Sequence, residues 1–153
     1  MMLFIDKYNE WRELKMSMQS WSIPGYGFPL YENDNFNLIK KFIIDNDSVE
    51  YSTKHLQIIK KCANVEELEL IINDPLPWKV ANIINKLENI NFIEGYMPCA
   101  DTEQSAMIGV GKQYPWEINN GYNREFCDKI LNKYKDILGI TTNPNFFDAE
   151  YYG

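Results

Sequence analysis

The chain has 153 residues, 22 of them acidic against 15 basic, and a net charge of −7. One histidine, three cysteines and two arginines leave few of the side chains from which most catalytic and metal centres are built. Its 45% hydrophobic and 24% charged residues are ordinary for a globular chain and exclude wholesale disorder.

In chain order, Phe4, Tyr8, Trp11, Leu14 and Met18 recur every three or four residues and predict a helix over residues 4–19. Residues 20–35 break that period. Two prolines and two glycines within residues 22–31 predict an irregular loop, rich in aromatic side chains. Helical spacing resumes near Asn35 and runs to about Asp45, with Phe36, Ile39, Phe42 and Ile43 inward. After a turn at residues 46–48, Ser52 or Thr53 caps a helix over about 53–63, with Leu56, Ile59 and Ala63 inward. Asn64, with Glu67 three positions on, forms a variant capping box and opens a helix carrying Leu68, Ile71 and Ile72. Residues 74–77 end it, because neither Pro75 nor Pro77 can continue the hydrogen-bond ladder. Pro77 suits the first turn of a further helix to about Glu88, with Val80, Ile83, Ile84 and Leu87 on one face.

The pattern changes near residue 90. Residues 91–97 and 106–111 have strand-like content and predict a small hairpin, with an irregular segment as the alternative. Asn123 opens a last helix carrying Phe126, Ile130, Tyr134, Ile137 and Leu138, stopped by Gly139. The expected fold is a single domain over residues 1–153, mainly α, of short antiparallel helix pairs with that small β-hairpin as an option; the alternative is α+β.

The chemistry-bearing residues do not assemble into a motif. His55 precedes the inward Leu56 and reads as a solvated side chain. A thiol site of Cys99, His55 and Asp101 has no local feature that would activate the cysteine, and Cys62 and Cys127 lie in helical patterns that read as core. Three distant cysteines without a CxxC fit neither structural zinc nor a disulfide framework, and point to the reducing cytoplasm. Residues 45–48 begin like a calcium loop but lack the glycine its turn requires. Gly109-Val110-Gly111-Lys112 resembles the end of a phosphate loop, yet Ala106 and Gln113 stand where a glycine and a hydroxyl are needed. Glu94, Asp101 and Glu103 could pair as carboxylates, a grouping that 22 acids produce by chance. The expectation is therefore no catalytic residue, no metal and no cofactor.

Two surfaces remain for binding. Trp21, Tyr26, Phe28 and Tyr31 of the aromatic loop, with Tyr151 and Tyr152 of the tail, are residue types that dominate binding hot spots. The competing reading folds both segments back onto the core. Glu66, Glu67, Glu69 and Asp74 form an acidic cluster, whose competing reading is a solvated helix face. Negative charge repels nucleic acid and anionic membranes and attracts basic proteins. The N-terminus lacks the basic and apolar regions of a signal peptide, and no run is long enough to span a membrane. Abundant Asn, Ile and Lys fit an AT-rich coding sequence, as in many bacteria and phages. The expected function is that of a small acidic cytoplasmic protein that occludes the basic active surface of a protein partner, as an immunity protein does for a toxic nuclease or a phage-encoded inhibitor for its target. The alternatives are a structural or adaptor subunit of a larger assembly, and a cysteine- or carboxylate-dependent enzyme.

Overall fold

A computed structural model of the chain describes residues 20–47, 51–96, 105–110 and 124–152. The elements run β1 (Ser20–Leu30), α1 (Phe36–Asp47), α2 (Thr53–Lys61), α3 (Val65–Ile72), α4 (Leu76–Glu88), β2 (Ile93–Tyr96), β3 (Ala106–Val110), α5 (Arg124–Lys135) and β4 (Asn145–Tyr152). The four strands form one antiparallel sheet in the order β2-β3-β1-β4. The architecture is thus α+β, and the mainly α expectation holds only for the middle of the chain. The expected helix over residues 4–19 lies outside the described residues.

The loop expected at residues 20–35 is for the most part strand β1. Its prolines explain both the misreading and the outcome. Among the described residues β1 pairs with β4 over residues 20–27 and with β3 over residues 26–30, so that only Tyr26 and Gly27 have described neighbours on both sides. Among the described residues Pro24 is paired with β4 alone and Pro29 with β3 alone. A residue without an N–H is tolerated in a strand where one side is not laddered. The tail, expected only as an aromatic segment, is the edge strand β4. The hairpin expected from residues 91–97 and 106–111 forms as β2 and β3, with Gly95 opposite Ile108.

Period-two alternation sets the faces of the sheet. Tyr26, Phe28 and Leu30 stand opposite Val110, Ile108 and Ala106, and all six are buried against α1, α4 and α5. The helices contribute Ile39 and Ile43 from α1, Val80 and Ile84 from α4, and Ile130 and Leu131 from α5. On the other face Tyr96, Met107 and Phe147 make a smaller cluster. Gly27 and Gly109 face each other there so closely that a Cβ on Gly27 would lie 2.0 Å from the Ile108 carbonyl oxygen.

Side chains lock the layers. Asn85 brackets β2 onto α4, donating from Nδ2 to the Ile93 carbonyl at 2.9 Å and accepting the Ile93 N–H at 3.0 Å. Tyr134 and Lys133 of α5 both reach the Glu88 carboxylate at the end of α4. Asp47, at 1% exposure, ends α1, where the helix dipole disfavours negative charge. Lys79, Lys86 and the Tyr51 hydroxyl surround it. Burial alone would raise its carboxyl, but the hydrogen bonds and charges of the two lysines outweigh that and hold it below the usual carboxylate range.

Candidate functional site

α2 packs beside α1 and α3 beside α2, the last two joined by a three-residue connection, and they present an outer surface. The hairpin is built from caps. Ser52 accepts the His55 N–H at 3.1 Å, and Lys40 donates to the carbonyls of Lys60 and Cys62, both at 2.9 Å, closing the C-terminal end of α2. Asn64 accepts the Glu67 N–H at 2.9 Å, and the Glu67 carboxylate accepts the Ala63 N–H at 2.8 Å. That is the expected capping box, with its return bond one residue earlier than usual. α3 ends at Asn73 in the left-handed region (φ 61°). The His55 imidazole is half-buried rather than solvated, with Nε2 3.2 Å from the Ile71 carbonyl and Tyr51 edge-on to the ring. It ties α2 to α3.

The cap roles divide the acidic cluster. Glu67 holds the start of α3, and Glu69 accepts the Leu76 N–H at 2.8 Å, which holds the start of α4. The Glu66 and Asp74 side chains have no hydrogen bond or ion pair among the described residues. The free charge of the cluster therefore lies on Glu66 and Asp74, while Glu67 and Glu69 also have a local structural use.

At the centre of these acids stands Leu70, 80% exposed. Leu68 and Ile72 of the same helix are buried. A step of two residues turns the chain about 200° round a helix, which puts Leu70 on the outward crest. A hollow lies on each side of it. One, about 320 Å³, is lined by Ile58, Cys62 and Ile71 with Lys61 and Glu67 at its rim. The other is lined by Glu66, Glu69, Asn73, Asp74 and Pro75. An apolar crest and an apolar hollow thus adjoin an acidic hollow, a small version of the dry centre and polar rim of protein interfaces. Ile58, 43% exposed on α2, widens the apolar area. Sequence reasoning found the acids and missed Leu70. The readable signal was a lone leucine on the polar arc of a short helix.

Glu32 lies in the turn after β1, within electrostatic reach of Glu69. Burial, and secondarily the charge of Glu69, pushes its carboxyl up to about 7. Its Oε2 is buried without a hydrogen-bond partner.

The aromatic residues expected to bind fall elsewhere. Tyr26 and Phe28, at 2% and 0% exposure, are core side chains of β1, so the contact role expected of them is corrected. The cause is the strand period, which turns both rings toward the helices. The Tyr26 hydroxyl donates to Asp128 at 2.5 Å, and the Arg124 guanidinium lies over the Tyr26 and Phe146 rings at 5.0 and 5.3 Å. Tyr31 is half-buried against the core. Trp21 pairs with Tyr151, and Ser20 with Tyr152, in the β1–β4 ladder.

Of the residues weighed for catalysis, Cys99, Asp101 and Glu103 lie outside the described residues. Cys62 and Cys127 are buried, and burial raises both thiols, Cys127 to about 11, which disfavours the nucleophilic thiolate. Glu94 accepts the Tyr96 hydroxyl at 2.6 Å. Among the described residues no three His, Cys, Asp or Glu side chains stand close enough to hold a metal ion, and no helix is long and apolar enough to cross a membrane. Comparison with protein-family models, curated proteins and solved structures finds no match to this chain.

Proposed function

We propose that this chain is a small acidic binding protein that neutralises a protein partner by covering that partner's basic active surface, in the manner of an immunity protein against a bacterial toxin such as a nuclease, or of a phage-encoded inhibitor. The observation that carries this reading is Leu70, 80% exposed with Glu66, Glu69 and Asp74 around it. A leucine held out in water on an ordered helix gains free energy when a partner covers it, on the order of 1.5–3 kcal/mol for complete burial. The carboxylates beside it favour a positively charged partner and repel an acidic one. The overall charge of −7 extends the same preference over long range. Mechanism is steric and electrostatic: the partner's substrate, if it is an anion such as nucleic acid, competes for the same basic surface.

The test is affinity capture from the native cell with the tagged full chain, followed by assay of the captured protein. The expected result is a basic protein whose own activity falls as purified chain is added. A captured protein that is acidic, or whose activity does not change at saturation, refutes the reading. A stable homo-oligomer that captures nothing else would favour the assembly-subunit alternative.

A further inference from the structure

The sheet has two faces, and the described helices use one of them. All five pack into the core on the side of Tyr26, Phe28 and Leu30. On the second face Tyr96 and Met107 are 6% and 9% exposed, and Gly25, Gly27 and Gly109 are buried. Phe147 packs with Tyr96 and Met107, and its ring fills the space over Gly25. Gly27 and Gly109 stand opposite each other and leave bare backbone at the middle of this face. A sheet face that meets water carries polar side chains in alternation with the core-facing ones. Here the described positions are glycine, proline, methionine and aromatic residues, with Glu94 and Asn145 the polar exceptions. That composition and that burial belong to a covered face.

The sequence supplies a cover. Of the stretches outside the described residues, residues 4–18 carry an apolar stripe at helical spacing, from Phe4 through Tyr8, Trp11 and Leu14 to Met18. Residues 97–104 and 111–123 are interrupted by Pro98, Pro115 and Gly121 and have no such period. At about 100° per residue the stripe spans roughly 120° of a helix, with Asp6, Asn9, Glu10, Glu13 and Ser17 on the opposite arc. Lys7 and Lys15 fall within the stripe, where a long stem can lie on apolar surface and carry its ammonium to an acid. A helix over residues 4–18 is about 22 Å long, which fits along the roughly 36 Å of the 11-residue β1. β1 opens at Ser20, directly after the segment. Helix ends are soft by one or two residues, and a connection of about two residues is enough to turn a helix back along a strand.

We propose that residues 4–18 form an amphipathic helix seated on this second face, with the stripe over Tyr96, Met107 and the bare backbone of Gly27 and Gly109, and with Lys7 or Lys15 directed at Glu94. The chain is then a three-layer unit with the sheet in the middle, and this face is closed to other proteins. The proposal is independent of the inhibitor reading.

The experiment uses the full chain. A carbodiimide joins an amine to a carboxylate only where the two are in contact, and it is applied to an equal mixture of heavy-isotope-labelled and unlabelled chain. The expected product, read by peptide mass spectrometry, links Lys7 or Lys15 to Glu94 with both ends light or both heavy, and Glu94→Gln removes it. Peroxide oxidation of Met107 is the second readout. Trp11→Glu should lift the cover, and because oxidation follows exposure, raising Met107 from 9% to about half exposed speeds it about fivefold. Glu10→Lys, on the opposite arc, is expected to leave the rate unchanged. Absence of the Lys–Glu94 link, or a link that joins light to heavy chain and so reports a second copy on the face, would overturn the proposal. So would a Met107 oxidation rate in folded Trp11→Glu equal to that of wild type. Where Trp11→Glu does not fold, the cross-link decides by itself, because it is made in the unaltered chain.

Discussion

Replacing Lys79 by methionine isolates the main buried charge pair. Asp47 is 1% exposed, and the Lys79 side chain is 12% exposed, against 61% for Lys86. The substitution keeps much of the aliphatic stem and removes the better-buried ammonium, so Asp47 retains one solvent-exposed partner and the Tyr51 hydroxyl. Breaking a buried pair by removing one partner costs about 3–5 kcal/mol. With Lys86 still in place the expected loss is about 2–3 kcal/mol. For a chain of this size that lowers the melting temperature by about 4–12 °C. Urea unfolding at pH 7 measures the free energy directly.

The pH dependence adds a sharper check. Asp47 is held below its ordinary 3.8, so its contribution is complete above that value and fades as pH falls through the folded-state value. For Lys79, burial would lower the ammonium, but hydrogen bonds to Asp47 and Tyr51 outweigh it and hold it above its ordinary 10.5. Its contribution is complete below 10.5 and is lost as pH rises through the folded-state value. The cost of Lys79→Met should therefore be flat between about pH 5 and 9 and shrink in acid. The double variant Asp47→Leu with Lys79→Met should lie closer to wild type than Lys79→Met alone, because no unpaired buried charge remains. A loss below about 1 kcal/mol, or strictly additive single-variant losses, would show that the pair does not act as described.

Glu32 carries the opposite sign. Its carboxyl is raised to about 7, so the folded chain is favoured with Glu32 protonated, fully below pH 4.5, and that advantage is lost as pH rises through about 7. Glu32→Gln should match wild type near pH 3.5 and exceed it near pH 8 by on the order of 1–2 kcal/mol in urea unfolding. Equal stability at both pH values would refute this. Gly27→Ala would set a Cβ 2.0 Å from the Ile108 carbonyl oxygen and 2.6 Å from the Gly109 Cα. Both obstacles are backbone, so β1 and β3 must part. The expected thermal-unfolding penalty is about 3 kcal/mol or more, and a cost under about 1 kcal/mol would contradict the close approach.

What the sequence disclosed follows from the range of its signals. α1 to α4 were legible because periodicity, the Ser52 and Asn64 caps and Pro77 are local features that tertiary structure did not override. β1 was not, because two prolines and two glycines weigh against a strand. Only the non-local stagger of β3 and β4 shows that, among the described residues, each proline is paired on one side. A weaker signal was present, the alternation of Tyr26, Phe28 and Leu30 with Gly27 and Pro29. The acidic cluster was visible as composition, but not its division into the capping carboxylates Glu67 and Glu69 and the free ones Glu66 and Asp74. That division depends on where the Ala63 and Leu76 amides end up in space. Leu70 was hidden by the brevity of α3, whose eight residues give a blurred wheel.

The most direct measurement is inhibition of the captured partner by wild-type chain and by Leu70→Glu in one titration. The account expects full inhibition by wild type and a shift of the Leu70→Glu curve to about tenfold or higher concentration, with unchanged melting temperature. Superimposable curves would place the contact away from α3 and contradict the account.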